Sequence, residues 1–341
     1  MFTGRTAYSA GSKPRSLDAV DVNGDGKLDI IVANYGSSNV GVLLNTGNGT
    51  FAAPTSYLAG TSPAFVVAAD LNGDGKPDII VTNYGSSNVS VLFNTGNGTF
   101  AAQTTYSTGT NPVVVVATDV NGDSKPDIIV ANYGSSNVGV LLNTGNGTFV
   151  AQRTYSTGTN PAGVAATDVN GDGKPDIIVA NFGSNNVGVL LNTGNGTFVA
   201  QATYPTGTGP YYVAAADVNG DGKSDIIVTN LGSNNVGVLL NTGNGTFAAQ
   251  ATYPTGTGPV CMAPADINGD NKPDIIVANR GSNIVDILLN TGNGTFVAQA
   301  TYPTGTGPYY VVAADANGDG KPDIIVANFG SNNIDVLLGY C

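Results

Sequence analysis

The sequence predicts an all-β protein, a seven-bladed β-propeller with four-stranded antiparallel blades, its ring closed by an N-terminal strand that completes the last blade. Three observations predict it. A 49-residue unit occurs seven times, each copy holds four strand-like segments, and the partial copies at the two chain ends add up to one whole unit.

The repeat is read first, because a fixed period of this size dictates the architecture. Asp21, Asp70, Asp119, Asp168, Asp217, Asp266 and Asp315 stand 49 residues apart without an insertion, and so do the phenylalanines that open the copies near positions 2, 51, 100, 149, 198, 247 and 296. All 341 residues form one domain on this reading. In the copy that starts at Phe198, strands are predicted at about 199–204, 211–216, 225–229 and 236–240. Each is rich in Val, Ile, Leu, Ala or Tyr and is bounded by Gly, Pro, Asn or Ser. Four strands in a unit of this length are the pattern of a propeller blade. The Asn-Gly before each Thr-Phe predicts a tight hairpin of type I′, which needs positive φ at both central residues.

Ring closure follows from the ends. The last copy stops at Leu337-Leu338-Gly339-Tyr340-Cys341 without its final strand, and the chain opens with that strand, running to about Tyr8. Pairing the two removes the free sheet edges that an open solenoid would have to cap. The strand after Gly-x-x-Pro, with Val213, Ala214, Ala215 and Ala216, is small enough to be the innermost one.

The charge is concentrated. All 24 acidic residues are Asp, and only Asp18, Asp286 and Asp335 lie outside seven copies of one short segment, Asp-x-Asn-Gly-Asp-(Gly)-Lys-x-Asp. The formal charge of −12 would become +2 with seven divalent cations bound. Oxygen donors at alternate positions of a tight loop suit a hard cation that takes six to eight oxygens, and calcium fits best. In the first copy the ligands are Asp21, Asn23, Asp25, the backbone carbonyl of Lys27, and Asp29. The same register gives Asp70, Asn72, Asp74, Lys76 and Asp78; then Asp119, Asn121, Asp123, Lys125 and Asp127; then Asp168, Asn170, Asp172, Lys174 and Asp176. It continues with Asp217, Asn219, Asp221, Lys223 and Asp225; Asp266, Asn268, Asp270, Lys272 and Asp274; and Asp315, Asn317, Asp319, Lys321 and Asp323. About seven Ca2+ ions, one per blade, are expected. Gly at the sixth position permits the turn; Ser124 and Asn271 replace it in two copies, where occupancy should differ first, the Ser124 site being the weakest. The loop is not an EF-hand, since position twelve is Val and the flanks read as strands. Without His and without paired Cys, zinc and iron are unsuited.

These residues resemble the FG-GAP or VCBS-type repeat of integrin α-chain propellers and many bacterial surface proteins. The resemblance runs through D-x-N-G-D-G-K-P-D, I-I-V-A-N and N-V-G-V-L-L-N-T-G-N-G-T-F over essentially the whole chain. Val-Ala-Asn stands where the integrin version has Gly-Ala-Pro, and the literal Phe-Gly is absent. The resemblance implies that the acidic loop joins the first two strands of a blade and binds calcium. It also implies an extracellular or cell-surface adhesion, recognition or scaffold module. Related fungal lectins with an integrin-like propeller bind sugars between blades.

An enzyme is not expected. The chain has no His and no Glu, nearly all its Asp and seven of its eight Lys sit in the loops, and Cys261 and Cys341 have no candidate base. The cysteines form neither a metal motif nor a disulfide framework. An acidic chain is a poor nucleic-acid ligand, and no apolar run is long enough for a membrane helix. A monomer is expected, with any leader outside this chain. The alternative to a scaffold is a multivalent lectin with sites at the inter-blade clefts. Tyr35, Tyr84, Tyr133, Phe182, Leu231, Arg280 and Phe329 vary at one repeat position, and with Tyr211, Tyr212, Tyr309 and Tyr310 they are the candidates for stacking on a ligand.

Overall fold

The computed structural model describes residues 2 and 4–340. It contains seven four-stranded antiparallel sheets arranged as blades. Each blade begins at the Pro of Gly-x-x-Pro with an inner strand: Pro14–Val20, Pro63–Ala69, Pro112–Thr118, Pro161–Thr167, Pro210–Ala216, Pro259–Ala265 and Pro308–Ala314. Each inner strand lies against those of both neighbouring blades, and Pro308–Ala314 lies against Pro14–Val20, so the seven close on one axis.

The second strand is the Asp-Ile-Ile-Val segment, for example Asp225–Asn230, and all its residues are buried. A strand sandwiched on both faces must be continuously apolar rather than alternating, as this one is. The third, Asn235–Leu239, pairs with it in the register Ile226↔Leu239 and Ile227↔Val238. Leu, Ile and Val from these strands fill the spaces between blades. At the closure, Leu17, Ile30, Val32 and Leu43 of the first blade pack with Ile325, Ala327, Ile334 and Val336 of the last.

The outer strand of the last blade is Thr6–Ser9, paired antiparallel with Asn333–Leu337. Arg5 adds an ion pair to Asp335 at 3.1 Å, and Phe2 bridges to Gly339. Phe2 meets Tyr302 edge-on at 5.4 Å, as Phe51 meets Tyr8 and Phe100 meets Tyr57 in later copies. Such T-shaped contacts are a favoured aromatic geometry.

One strand expectation needs correction. The outer strand predicted at 199–204 begins only at Ala202, because Thr197–Phe198 instead pairs with Asn192–Gly194 in a small separate hairpin. Its turn has the predicted geometry: in the first copy Asn48 has φ 54° and Gly49 φ 71°. In the sixth blade hairpin and strands merge into Ile284–Gly292 and Thr295–Pro303. Cys341 lies outside the described residues. Cys261 is buried, and burial pushes its thiol up to about 12, which leaves it inert as a nucleophile.

Candidate functional site

The two ends of the propeller carry different chemistry. Each inner strand starts beside the end of the second strand, where Pro14 pairs with Asn34, and finishes at the acidic loop, where Val20 pairs with Asp29. The acidic loops therefore gather at one end of the axis and the variable aromatic positions at the other.

The loops are wound around their first Asp. Asp21 Oδ1 accepts the Gly24 N–H at 2.7 Å and those of Asn23 and Asp25 at 3.2 Å, while Oδ2 accepts the Gly26 N–H at 2.7 Å. Asn23 Oδ1 accepts the Asp25 N–H at 2.9 Å, and Asp25 accepts the Lys27 N–H and ammonium. The sixth position is left-handed in every copy, including Ser124 (φ 65°) and Asn271 (φ 62°). Asp21, Asn23, Asp25 and Lys27 are thus brought into one turn.

Asp29 sits deeper. It is buried, its Oδ2 accepts the Val22 N–H at 3.0 Å and its Oδ1 the Asn45 N–H at 2.7 Å. Burial raises its carboxyl above the usual range, the two N–H donors oppose this, and the charges of Asp25 and Asp21 raise it further. Among the described residues, no three His, Cys, Asp or Glu side chains come together closely enough to hold a metal ion. As folded here, the carboxylates face the backbone rather than one shared centre.

The loops are also tied across blades. Asn94 Nδ2 donates to the Val22 carbonyl in the preceding blade's loop at 2.9 Å, and Asn143 does the same to Leu71. Repeat phasing gave no hint of this link. In the last copy Gly339 stands at the Asn position, so the sixth loop lacks the amide that would reach Ile267.

At the opposite end lies a cup of about 300 Å3, lined by Arg15, Tyr35, Tyr84, Val113, Tyr133, Ala162, Tyr211, Arg280, Tyr309 and Phe329. The variable aromatics do not occupy seven separate inter-blade clefts; most converge on this axial mouth. Phe182 backs it, edge-on to Tyr211 at 6.1 Å, and Leu231 packs instead against the buried cluster that contains Val260 and Cys261. Phe65, Tyr212 and Tyr310 form a floor, with Phe65 and Tyr310 5.1 Å apart and the Tyr212 and Tyr310 hydroxyls 2.8 Å apart.

Arg15, unnoticed in the sequence, reaches into the cup. Its guanidinium stands 5.2 Å from the Tyr309 ring centre, 5.3 Å from Tyr35 and 5.8 Å from Tyr84, and donates to the Tyr211 hydroxyl at 3.4 Å. The signal was available: its repeat position reads Arg15, Ala64, Val113, Ala162, Tyr211, Val260 and Tyr309, one of the most varied in the unit.

An FG-GAP-like repeat model matches residues 21–81, 70–130, 119–179, 168–228, 217–277 and 266–326. No curated protein matches the sequence. Among solved structures, the chain resembles virginiamycin B lyase from Staphylococcus aureus at a TM-score of 0.70 and 14% identity, covering 100% of both chains. It resembles Kuenenia stuttgartiensis hydrazine synthase at 0.68 and 19%, covering 96% of each. An Agrocybe aegerita lectin that recognises non-reducing terminal N-acetylglucosamine matches at 0.59 and 22%, with 96% of this chain and 86% of the lectin covered. These likenesses are of fold. They overturn the expectation that the chain is not an enzyme: two of the three are enzymes on the same scaffold, so lack of His and Glu in the repeat does not exclude catalysis. With matches spanning residues 21–326 and seven blades closed in a ring, the chain belongs to the FG-GAP-like repeat family.

Proposed function

We propose that the chain is a calcium-stabilised recognition or adhesion propeller that works outside the cell or at its surface. One Ca2+ would be held in each loop by Asp21, Asn23, Asp25, the Lys27 carbonyl and Asp29, and by their counterparts. The observation that carries this reading is the seven-fold recurrence of a wound, all-oxygen loop, tied in six copies by an Asn amide to the next blade. The donor set fits the ion chemically: carboxylate, amide and carbonyl oxygens suit a hard cation. The Lys27 ammonium sits 2.9 Å from Asp25 in a half-exposed pair, and surface pairs of this kind are displaced at little cost. Binding would require the Asp25 and Asp29 carboxylates to turn from their present partners toward Asp21. Calcium would then neutralise seven clusters that otherwise repel. Equilibrium dialysis against calcium tests the reading: uptake near one ion per loop supports it, and uptake below one ion per chain sinks it.

A glycan ligand is the second reading, favoured by the aromatic faces gathered at the axial mouth. On this reading recognition uses one axial site in place of seven clefts. A glycan array probed with calcium present and showing no binding would remove it.

A further inference from the structure

We propose that the axial cup is a binding site for a small carboxylate carried on a ring-shaped body, such as an acidic sugar or an aryl acid, held by Arg15 and Arg280 among aromatic faces. The inference deepens the recognition reading, of which it names the ligand, and does not depend on calcium.

The charge distribution points there first. The chain has 24 Asp against 12 Lys and Arg, and seven of those cations belong to the acidic loops. Of the other five, Arg15 and Arg280 line the cup, and Lys13 sits 5.8 Å over the Phe329 ring at its rim. Among the described residues no carboxylate lines it. Two guanidiniums collected in one concavity of a strongly acidic protein, without an acidic partner in the lining, are complementary to an anion.

The geometry then favours a carboxylate. Arg15 is fixed by three ring faces and by the Tyr211 hydroxyl, which itself touches that of Tyr309. Arg280 lies 5.3 Å from the Tyr309 ring centre and 5.6 Å from Phe329. Rings that hold the flat faces of a guanidinium leave its N–H edges to donate in plane, and a planar fork matches a carboxylate two bonds at a time. Tyr35, Tyr84 and Phe329 supply faces for the body of the ligand, and the volume of about 300 Å3 is at the small end of ligand pockets.

A filler role for Arg15 accounts for less. At the same repeat position Ala64, Val113 and Val260 close their share of the axis without charge. Two divergent positions of an otherwise near-identical repeat, those of Arg15 and Arg280, also meet in this one place, as expected where a single site rather than seven has been specialised.

The test is isothermal titration of the full chain with glucuronate and 4-hydroxybenzoate, each beside its neutral counterpart, glucose and 4-hydroxybenzyl alcohol. At least one acid is expected to bind about tenfold or more tightly than its counterpart, to weaken with salt, and to lose about tenfold in R280Q, whose exposed position leaves folding intact. R15Q should lose as much. Which acid binds identifies the source as sugar or arene, and either outcome supports the site. Equal binding of acid and neutral forms, acid binding untouched by both substitutions, or no binding of either acid would overturn it. An empty glycan array alongside 4-hydroxybenzoate binding would remove the glycan reading alone.

Discussion

Asn94 of the second blade donates its Nδ2 hydrogen to the carbonyl of Val22, inside the acidic loop of the first, at 2.9 Å. The same amide reaches Pro77 O at 3.1 Å, and its oxygen accepts the Gly96 N–H. Through its own N–H, Asn94 also rests on Asp78, the deepest Asp of the next loop. Six of the seven loops are coupled to a neighbour in this way, so an ion bound in one of those blades would stiffen the joint between two.

Replacing Asn94 with Ala should therefore cost more than a surface change. It leaves two carbonyls at a buried joint without their donor, a loss of about 1–3 kcal/mol. Urea denaturation measures it; an unchanged midpoint would mean that the bridge holds nothing.

Ser124 offers a gain. It holds φ 65°, which five of the loops assign to Gly. S124G should stabilise the chain by about 1 kcal/mol, and S124V should destabilise it further than wild type, because a β-branched residue fits that region worst. Thermal melts of the three proteins rank them, and S124G melting below wild type would refute the strain argument.

The loops show how much could be read without coordinates. The repeat period, the inner strand, the left-handed sixth position and the Asn48–Gly49 turn are all local or periodic, so sequence carries them directly. Closure by Thr6–Ser9 was legible because the two partial ends are complementary. What escaped was contact between distant residues. Arg15 and Tyr309 are neighbours only because the ring closes, and the Asn94–Val22 bond follows from blade stagger, which no period encodes. The expectation against an enzyme failed for a different reason: it judged chemistry from composition, whereas the same scaffold supports catalysis in other proteins.

Asp18 gives a pH signature separate from the loops. It is partly buried, and burial raises its carboxyl above the ordinary 3.8, with the Ala68 and Ala19 N–H groups pulling the other way. A raised folded value means that its contribution to stability is complete below the unfolded value and is lost as pH rises through the folded one. D18N should therefore gain stability relative to wild type as pH goes from about 4 toward 7. A melting-temperature difference that is flat across this range, or falls, would contradict the assignment.

Arg5 latches the closing strand. Asp335 is fully buried and accepts both Arg5 and the Gly305 N–H, the latter at 2.7 Å. Arg5 is partly exposed, so water screens the pair, and R5Q should cost about 1–2 kcal/mol. Adding D335G, the residue found at that position in four other blades, should recover most of the loss, because no unpaired carboxylate then remains. Failure of the double variant to recover would place the effect of Arg5 elsewhere.

Calorimetric melting of the chain after exhaustive EDTA dialysis, repeated with calcium restored, tests the central claim most directly. A ligand bound only by the folded state stabilises it by about 2.7 kcal/mol per site at a hundredfold excess over Kd. Seven loops, six of them tied blade to blade, should therefore give a melting temperature many degrees higher in calcium, with the rise lost when loop aspartates such as Asp21 and Asp25 become Asn. Superimposable melts with and without calcium would contradict a calcium-stabilised propeller.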